Sequence, residues 1–203
     1  LASMIQHVNE NRSGHILTME DIGQGYGYIL YRTDVQSPGT GRLVINDLRD
    51  YGVVFVNGKY AGSLDRRHRQ NTLALTIDHP GILEILVENG GRINYGKKMT
   101  DNRKGITRTV SFNGHDLADW EIYPFRMEDI SSIRFRHDGT ASGPVLRRGT
   151  FMLDIPGDTF LDMGEWTKGC VWINGRNLGR YWSIGPQQTL YCPAVWLRRG
   201  DNE

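Results

Sequence analysis

At 203 residues, 38% hydrophobic and 10% aromatic, the chain is long enough for one large globular domain or two small ones with a sizeable core. A formal net charge of +1 provides no field that would draw it to nucleic acid or to an anionic membrane. No run approaches the ~18 apolar residues of a spanning helix, and the first residues lack the apolar core of a secretory signal. The chain reads as beginning and ending inside a longer protein.

Residues 1–18 are polar and weakly patterned, an expected extended lead-in. Tyr26–Thr33 is the first expected strand, rich in aromatic and branched residues, and Ser37-Pro38-Gly39-Thr40-Gly41 is expected to break it. Leu43–Ile45 and Val54–Val56 follow. The basic run Arg66-Arg67-His68-Arg69 reads as a solvated loop. Leu73, Leu75 and Ile77 alternate with smaller or polar residues, the period of a half-buried strand. Ile82–Glu88 is another strand, closed by Asn89-Gly90-Gly91. Residues 92–105 carry little apolar pattern and read as a long ordered loop. Ile106–Phe112 and Trp120–Tyr123 return to strand character, and Pro124 is expected to close the first module. A link over 126–148 is expected to hold short helical content near Met127–Ile133. Then come Phe151–Ile155, Thr159–Leu161, Val171–Ile173 and Thr189–Cys192 as strands, with Pro193–Leu197 as a helical turn or a strand start. Gly200-Asp201-Asn202-Glu203 reads as a turn into a further strand that lies beyond the chain. With 25 glycines and no long helix-period segment, the pattern is all-β.

One phrase occurs twice. Val54-Phe55-Val56-Asn57-Gly58-Lys59-Tyr60-Ala61-Gly62 returns 117 positions later as Val171-Trp172-Ile173-Asn174-Gly175-Arg176-Asn177-Leu178-Gly179. Each is a strand, an Asn-Gly turn, a basic residue and a second Gly. Asn-Gly supplies the positive φ values of a two-residue hairpin turn, so Asn57, Gly58, Asn174 and Gly175 are expected at turns. The repeat predicts two adjacent β-sandwich modules, 19–125 and 126–203, with the two turns equivalent. Val110–Gly114 shares only the turn and is weaker. Trp172 and Trp182 are expected to be largely buried, Trp172 in a strand covered on both sides, with Lys59 and Arg176 pointing to solvent.

Most familiar chemistry is missing. The six histidines have no metal-ligand spacing with one another or with Cys170 and Cys192. There is no nucleophile elbow or phosphate-binding loop, and Gly23–Gly27 leads into a strand. Neither a metal nor a cofactor is expected. The two cysteines read as buried free thiols or as neighbours in the second module. The five tryptophans and nine tyrosines fit core packing or, alternatively, stacking on sugar faces.

The series Gly91-Arg92-Ile93-Asn94-Tyr95-Gly96, Lys104-Gly105-Ile106, Asp119–Pro124 and, above all, Trp166–Trp182 with Gly185–Pro193 resembles the C-terminal part of the β-galactosidases of glycoside hydrolase family 35. The likeness runs from about residue 19 to the end. It implies two jelly-roll domains of the galactose-binding-domain-like class, without the (β/α)₈ barrel that carries the family's two catalytic glutamates. A barrel needs about 250 residues of alternating strand and helix, and no catalytic motif has a counterpart here. The implied role is a non-catalytic accessory region that packs on that barrel in the same polypeptide. Arg92, Asn94, Tyr95 and Gly96 would face the barrel or the rim of its pocket. The alternative for this loop is one hydrogen-bonded within itself. The alternative function is an independent galactoside-binding module, with Tyr60 and Asn177 as sugar contacts. A periplasmic, secreted or lysosome-like location would each fit the family.

Overall fold

Branched and aromatic residues alternating with small polar ones, interrupted by Asn-Gly and Gly-rich breaks, fold most of this chain into antiparallel strands. A computed structural model describes residue 5 and residues 8–131, 133–135 and 143–203. Contacts within the chain define two units. One runs to Met127; the other comprises Pro144–Glu203 with the described residues just after Met127.

In the first unit the strands are β1 (Asn11–Ser13), β2 (Tyr28–Val35), β3 (Gly39–Ile45), β4 (Leu48–Arg49), β5 (Tyr51–Val56), β6 (Lys59–Asp65), β7 (Thr72–Ile77), β8 (Gly81–Glu88), β9 (Gly105–Ile106), β10 (Val110–Phe112), β11 (His115–Asp116) and β12 (Trp120–Phe125). They form a six-stranded sheet, β1-β12-β2-β8-β5-β6, and a four-stranded sheet, β11-β10-β3-β7, with β4 and β9 as a short separate pair. The period of two sends alternate residues to opposite faces. Ile29, Tyr31, Val54, Ile85 and Ile122 from the larger sheet therefore meet Leu43, Ile45, Leu75, Ile77 and Val110 from the smaller in one buried core. Leu30, Val53, Phe55, Leu86, Tyr123 and Phe125 point the other way and form a second cluster on the outer face of the larger sheet. At the centre, the fully buried Tyr31 sets its ring edge-on to Trp120. Its hydroxyl donates to the Leu17 carbonyl at 2.9 Å and accepts from the Ile106 amide at 3.0 Å, which removes the penalty of a buried unsatisfied hydroxyl.

The second unit holds β13 (Phe151–Leu153), β14 (Thr159–Asp162), β15 (Lys168–Ile173), β16 (Arg176–Trp182), β17 (Thr189–Cys192) and β18 (Gly200–Asn202), paired as β13-β18, β14-β17 and β15-β16. Its core is small: Ile173, Cys192 and Leu197, with Leu153, Leu161 and Leu178 packed on them. Neither cysteine is in a disulfide; Cys192 is buried and Cys170 half-buried.

Several boundaries differ from the sequence expectation. Gly39–Gly41 belong to β3, paired with Leu75–Ile77, so the break shrinks to the residues before them. Pro124 lies within β12 opposite Ile29, so the strand runs through it. Asn11–Ser13 of the lead-in pair with Trp120–Ile122 as an edge strand. No helix forms over the described residues from Met127 to Ile133. Pro193–Leu197 contains a 3-10 turn, Ala194–Trp196, and Arg66–His68 form another, capped by the Asp65 carboxylate. Gly200–Asn202 is a strand, not a turn. Trp172 and Trp182 are half-buried, not largely buried, because among the described residues β15 and β16 form only a two-stranded ribbon. Lys59 and Arg176 are exposed.

The repeated phrase has one geometry. Asn57-Gly58 and Asn174-Gly175 all have positive φ and close two-residue hairpins, Val56 opposite Lys59 and Ile173 opposite Arg176. Past each turn a bulge follows at the same place: Val54 faces Gly62 and Val171 faces Gly179, leaving Ala61 and Leu178 as the extra residues. The second Gly of the phrase is explained by this bulge, since Gly62 and Gly179 sit at φ +156° and +121°, where a side chain is strained. Each turn Asn is also fastened to the backbone of a distant residue, Ile82 in β8 or Glu203 just after β18. Asn57 N donates to Ile82 O and Asn57 Oδ1 accepts from Ile82 N, both at 2.8 Å. Asn174 N donates to Glu203 O at 2.8 Å and its Oδ1 accepts from Glu203 N at 3.0 Å. The weaker fragment shares the device: Asn113 N donates to Arg42 O and its Oδ1 accepts from Arg42 N, each at 3.0 Å.

This clamp predicts an ordered pair of effects at Asn57. Asn57→Gly keeps the left-handed turn but loses the side-chain bond, and should cost about 1 kcal/mol. Asn57→Ala should cost a further ~1–2 kcal/mol, because Ala is strained at positive φ. Both should speed hydrogen exchange at the Ile82 amide. A Gly variant with wild-type exchange there would refute the clamp.

Candidate functional site

The residues singled out for docking lie on the segment between β8 and β9, which emerges from charged ground. Asp50 stands at its root: Oδ2 accepts from Lys104 Nζ at 2.6 Å and from the Gly90 amide at 2.8 Å, and Oδ1 accepts from Arg66 Nη1 at 3.0 Å. Gly90 and Lys104 are the two ends of the loop, so one carboxylate holds both. Lys104 is only 3% exposed, and a buried ammonium without such a partner would be strongly destabilising.

A second knot lies beside it. The nearly buried Arg49 donates to Asp47 Oδ2 through Nε and Nη2 at 3.1 and 2.7 Å. It reaches the Asp101 carboxylate through Nη1 and Nη2 at 3.1 and 3.2 Å, and the Asp101 carbonyl at 2.9 Å. The Arg49 hydrogen bond holds the Asp101 carboxyl below its ordinary value. Burial opposes ionisation of Asp47, but hydrogen bonds from Arg49 and Thr107 outweigh it and lower that group too. The same contacts raise Arg49, its bond to Asp47 first.

Arg92 is turned inward. Its Nε and Nη2 donate to the Gly25 carbonyl at 3.2 and 2.9 Å, and Nη1 donates to the Asn102 carbonyl at 2.9 Å. Nη1 is also in ion-pair contact with Glu20 Oε1, whose other oxygen accepts from the Lys104 amide at 2.9 Å. Arg92 thus ties the loop to the body of its own unit. Beyond this anchor the loop is exposed from Gly90 to Asp101. Asn94 lies on it in the open, Gly96 has φ +96° at a turn where its carbonyl accepts from the Met99 amide, and Tyr95 is 88% exposed. Ile93 and Met99 add apolar surface to the same tip. An ordered loop carrying an apolar tip over a polar base is the form of an interaction element.

Tyr60 and Asn177 occupy matching positions after the two turns but belong to different units. Tyr60 is 47% exposed and packs edge-on to Phe55. Asn177 is exposed, with Oδ1 accepting from the Gly179 amide at 2.7 Å, so it supports its own bulge. Trp166 offers more ring surface: it is 42% exposed, with the Arg147 guanidinium 5.4 Å from the ring centroid. Lys168 and Arg176 lie over Trp182 and Trp196 in the same way, at 3.8 and 5.6 Å. The signal for these pairs was an unusual density of Trp in the second unit, but the partner cations are not sequence neighbours at a fixed spacing. No group of three metal-binding side chains occurs among the described residues.

The architecture defines an all-β protein with a two-sheet sandwich followed by a small β unit, and relatives then fix the family. Residues 17–126 match the first all-beta domain of β-galactosidase and 144–202 its galactose-binding domain. A β-galactosidase of Xanthomonas manihotis is 44% identical over 176 residues, covering 85% of this chain and 29% of that protein. Human β-galactosidase-1-like protein 2 is 41% identical over 188 residues, covering 89% and 29%. Human β-galactosidase is 36% identical over 208 residues, covering 90% and 30%. The chain belongs to the β-galactosidases of glycoside hydrolase family 35. It spans about 30% of the length of these curated relatives and corresponds to their non-catalytic β domains, without a catalytic domain.

The second knot has a pH signature. With both folded carboxyls depressed, its contribution is complete above the ordinary carboxylate value near 4. It is lost as pH falls through the lower folded values. Asp101 should titrate by NMR below 3.8, its unperturbed value, and exchange at loop amides 98–104 should accelerate over that acid range. Arg49→Gln should return Asp101 to an ordinary midpoint. An unchanged midpoint in the variant would disprove the Arg49–Asp101 coupling.

Proposed function

We propose that this chain is the accessory region of a retaining β-galactosidase and that it packs on and supports the enzyme's (β/α)₈ catalytic barrel in the same polypeptide. The observation carrying this reading is the loop between β8 and β9. Two ionic knots fix its ends, so the exposed Tyr95 is presented on a base that is already ordered, and docking sacrifices little conformational entropy. Tyr95, with Ile93 and Met99 beside it, is the surface that meets the barrel or the rim of its pocket. Arg92 acts as a positioning residue: it holds the loop at Gly25 and Asn102, and Asn94 and Gly96 shape the turn. Retaining hydrolysis needs two carboxyl groups about 5 Å apart across a sugar pocket. The region supplies neither family motif, so hydrolysis by it alone is not expected.

Tyr95→Ala in the full-length enzyme should loosen the docked domain, lowering the barrel's thermal midpoint by a few degrees for a loss of about 1–2 kcal/mol. It should also raise KM for a chromogenic galactoside while the isolated β region keeps its own stability. Arg92→Ala should do the same and, in addition, release the loop in the isolated region, seen as faster exchange at Asn102 and Lys104. Unaltered kinetics and stability of the parent in both variants would leave only a generic packing module. Turnover by the purified region itself, surviving repurification, would overturn the non-catalytic reading.

A second reading is favoured by the match of residues 144–202 to a galactose-binding domain and by the exposed Trp166 ring. Here the second unit binds galactosides itself, the ring stacking on the apolar face of the sugar. Galactose titrated into the isolated chain should then shift the Trp166 indole resonance saturably, and Trp166→Ala should abolish the shift. Tyr60 and Asn177 remain subsidiary candidates, tested by the same titration. No saturable shift at millimolar galactose would exclude this function.

A further inference from the structure

Asparagine followed by glycine is the dipeptide most open to spontaneous deamidation. A following residue without a Cβ leaves its backbone nitrogen unobstructed for attack on the asparagine side chain. This chain has four such pairs: Asn57-Gly58, Asn89-Gly90, Asn113-Gly114 and Asn174-Gly175. Their local sequences make them alike, and the fold makes them different. To react, the side chain must leave its native bonds and bring Cγ to the next nitrogen, so the reaction proceeds from locally opened states.

Asn89 is buried. Its Nδ2 donates to the Gly25 carbonyl at 3.0 Å and its Oδ1 accepts from the Gly91 amide at 2.9 Å, while the Gly90 amide donates to Asp50 Oδ2 at 2.8 Å. Asn174 is half-buried and held at both ends of its amide. Nδ2 donates to Trp196 O and Asn202 Oδ1 at 2.7 and 2.9 Å, and Oδ1 accepts from Glu203 N and Arg198 Nη2 at 3.0 and 3.2 Å. Asn57 and Asn113 are exposed, and their side chains are held through Oδ1 alone, by Ile82 N at 2.8 Å and Arg42 N at 3.0 Å. The hairpins around these two separate them. Asn57 closes a long one, Tyr51–Val56 against Lys59–Asp65. Asn113 closes a short one, in which Ser111 and Phe112 face Asp116 and His115 and Leu117 N donates to Val110 O at 2.8 Å. Both residues of β11 are exposed, and the strand is the edge of its sheet. A short exposed edge opens more often than a long ladder. A Cβ built on Gly114 would meet nothing within 4 Å, so the attack and the water that follows have room.

We propose that Asn113 is a site of spontaneous covalent modification, deamidating ahead of the other three pairs and loosening the edge of the four-stranded sheet. The Gly114 nitrogen gives its proton to solvent base and forms a bond to Asn113 Cγ. The Cγ–Nδ2 bond breaks and ammonia leaves. Water then adds to either carbonyl of the succinimide ring, which opens to aspartate or isoaspartate. The net reaction consumes one water, releases ammonium and leaves one new carboxylate, taking the formal net charge from +1 to 0. The aspartate product keeps an oxygen that accepts from Arg42 N. In the isoaspartate product the main chain runs through the former side-chain carbon, so the turn gains an atom, the bond to Arg42 is lost and β11 slips against β10. The inference stands on neither the docking nor the sugar-binding reading.

The test ages the full chain in mildly alkaline buffer and follows all four pairs by peptide mass spectrometry. Asn113 should deamidate at least tenfold faster than Asn89 and Asn174, with Asn57 between them. In denaturant the four rates should converge to within a few-fold, because each is then governed by the same following glycine. Asn202→Ala removes one acceptor of Asn174 Nδ2 and should raise the rate at Asn174 several-fold while leaving Asn113 unchanged. In the aged chain, hydrogen exchange at the Arg42 amide should accelerate as isoaspartate accumulates. Asn113 reacting no faster than Asn89 and Asn174 in the folded chain would overturn the proposal. So would the same tenfold spread in denaturant, or a rate at Asn174 unmoved by Asn202→Ala.

Discussion

The bond pair between a turn asparagine and a neighbouring strand is the constraint on which most of this chain's order depends. A two-residue hairpin settles only the pairing of its own two strands. It leaves open which strand comes next and in what register, and a slip of one residue would send the whole apolar set to the wrong face. Asn57 and Asn113 remove that freedom by binding both backbone polar groups of one residue on a third strand, and Asn174 binds those of Glu203, the residue that follows β18. The left-handed conformation that the turn demands is tolerated by Asn more easily than by most residues, and the same side chain then satisfies an amide of the adjacent strand. Local turn chemistry and long-range register are set together. Close packing around the clamp is part of it: a Cβ on Gly41 would fall 1.5 Å from Asn113 Oδ1, and one on Gly81 would fall 2.1 Å from Asn57 Oδ1. In the second unit the corresponding place is taken by Asn202, whose Oδ1 instead accepts from Asn174 Nδ2 at 2.9 Å.

The loop between β8 and β9 solves a different problem with different chemistry. A surface segment of this length with almost no buried side chain has no hydrophobic means of holding a shape. Its ends are fixed by Asp50, Lys104, Arg49 and Asp101, and its waist by Arg92. Exposed ion pairs contribute little each, but Arg49 and Lys104 are nearly buried. Breaking either one would leave a charge without compensation, which makes the arrangement specific even where its net contribution is small. The consequence is an apolar tip, Tyr95, that stays exposed without collapsing onto its own unit.

How much of this could be read from residues alone follows from the range of each interaction. The strands and their faces were legible because alternation is local. The Asn-Gly turns and the second Gly were legible as a pattern, yet the bulge that explains Gly62 and Gly179 was not, since a bulge depends on the partner strand. The same limit hid the equivalence of Asn113: its phrase lacks the second Gly, and its clamp lies 71 residues away at Arg42. Pro124 and Gly39–Gly41 misled for a related reason. Breaker residues end strands by default, and neighbouring strands overrode that default here. At the candidate site the residue types were legible and their directions were not. Arg92 has the donors for a partner's carboxylate, but the nearby Gly25 and Asn102 carbonyls and Glu20 meet them within the unit.

The two copies of one phrase also show how far a sequence motif determines its surroundings. The turn, the bulge and the clamp are the same in both because each is built from the nine residues and a single clamped neighbour. Burial is not the same. Phe55 is 4% exposed within the apolar cluster on the outer face of its sheet, whereas its counterpart Trp172 is half-buried on a ribbon, with its indole N–H unpartnered among the described residues. Phe55 packs against the Tyr60 ring of β6 and belongs to a cluster that draws Val53 from β5 itself and Leu86 from the neighbouring β8. A hairpin carries its own hydrogen bonds wherever it is placed, but its hydrophobic environment is supplied by what packs on either side. The same nine-residue design is therefore the inner strand of a filled sandwich in one unit and a sparsely covered ribbon in the other.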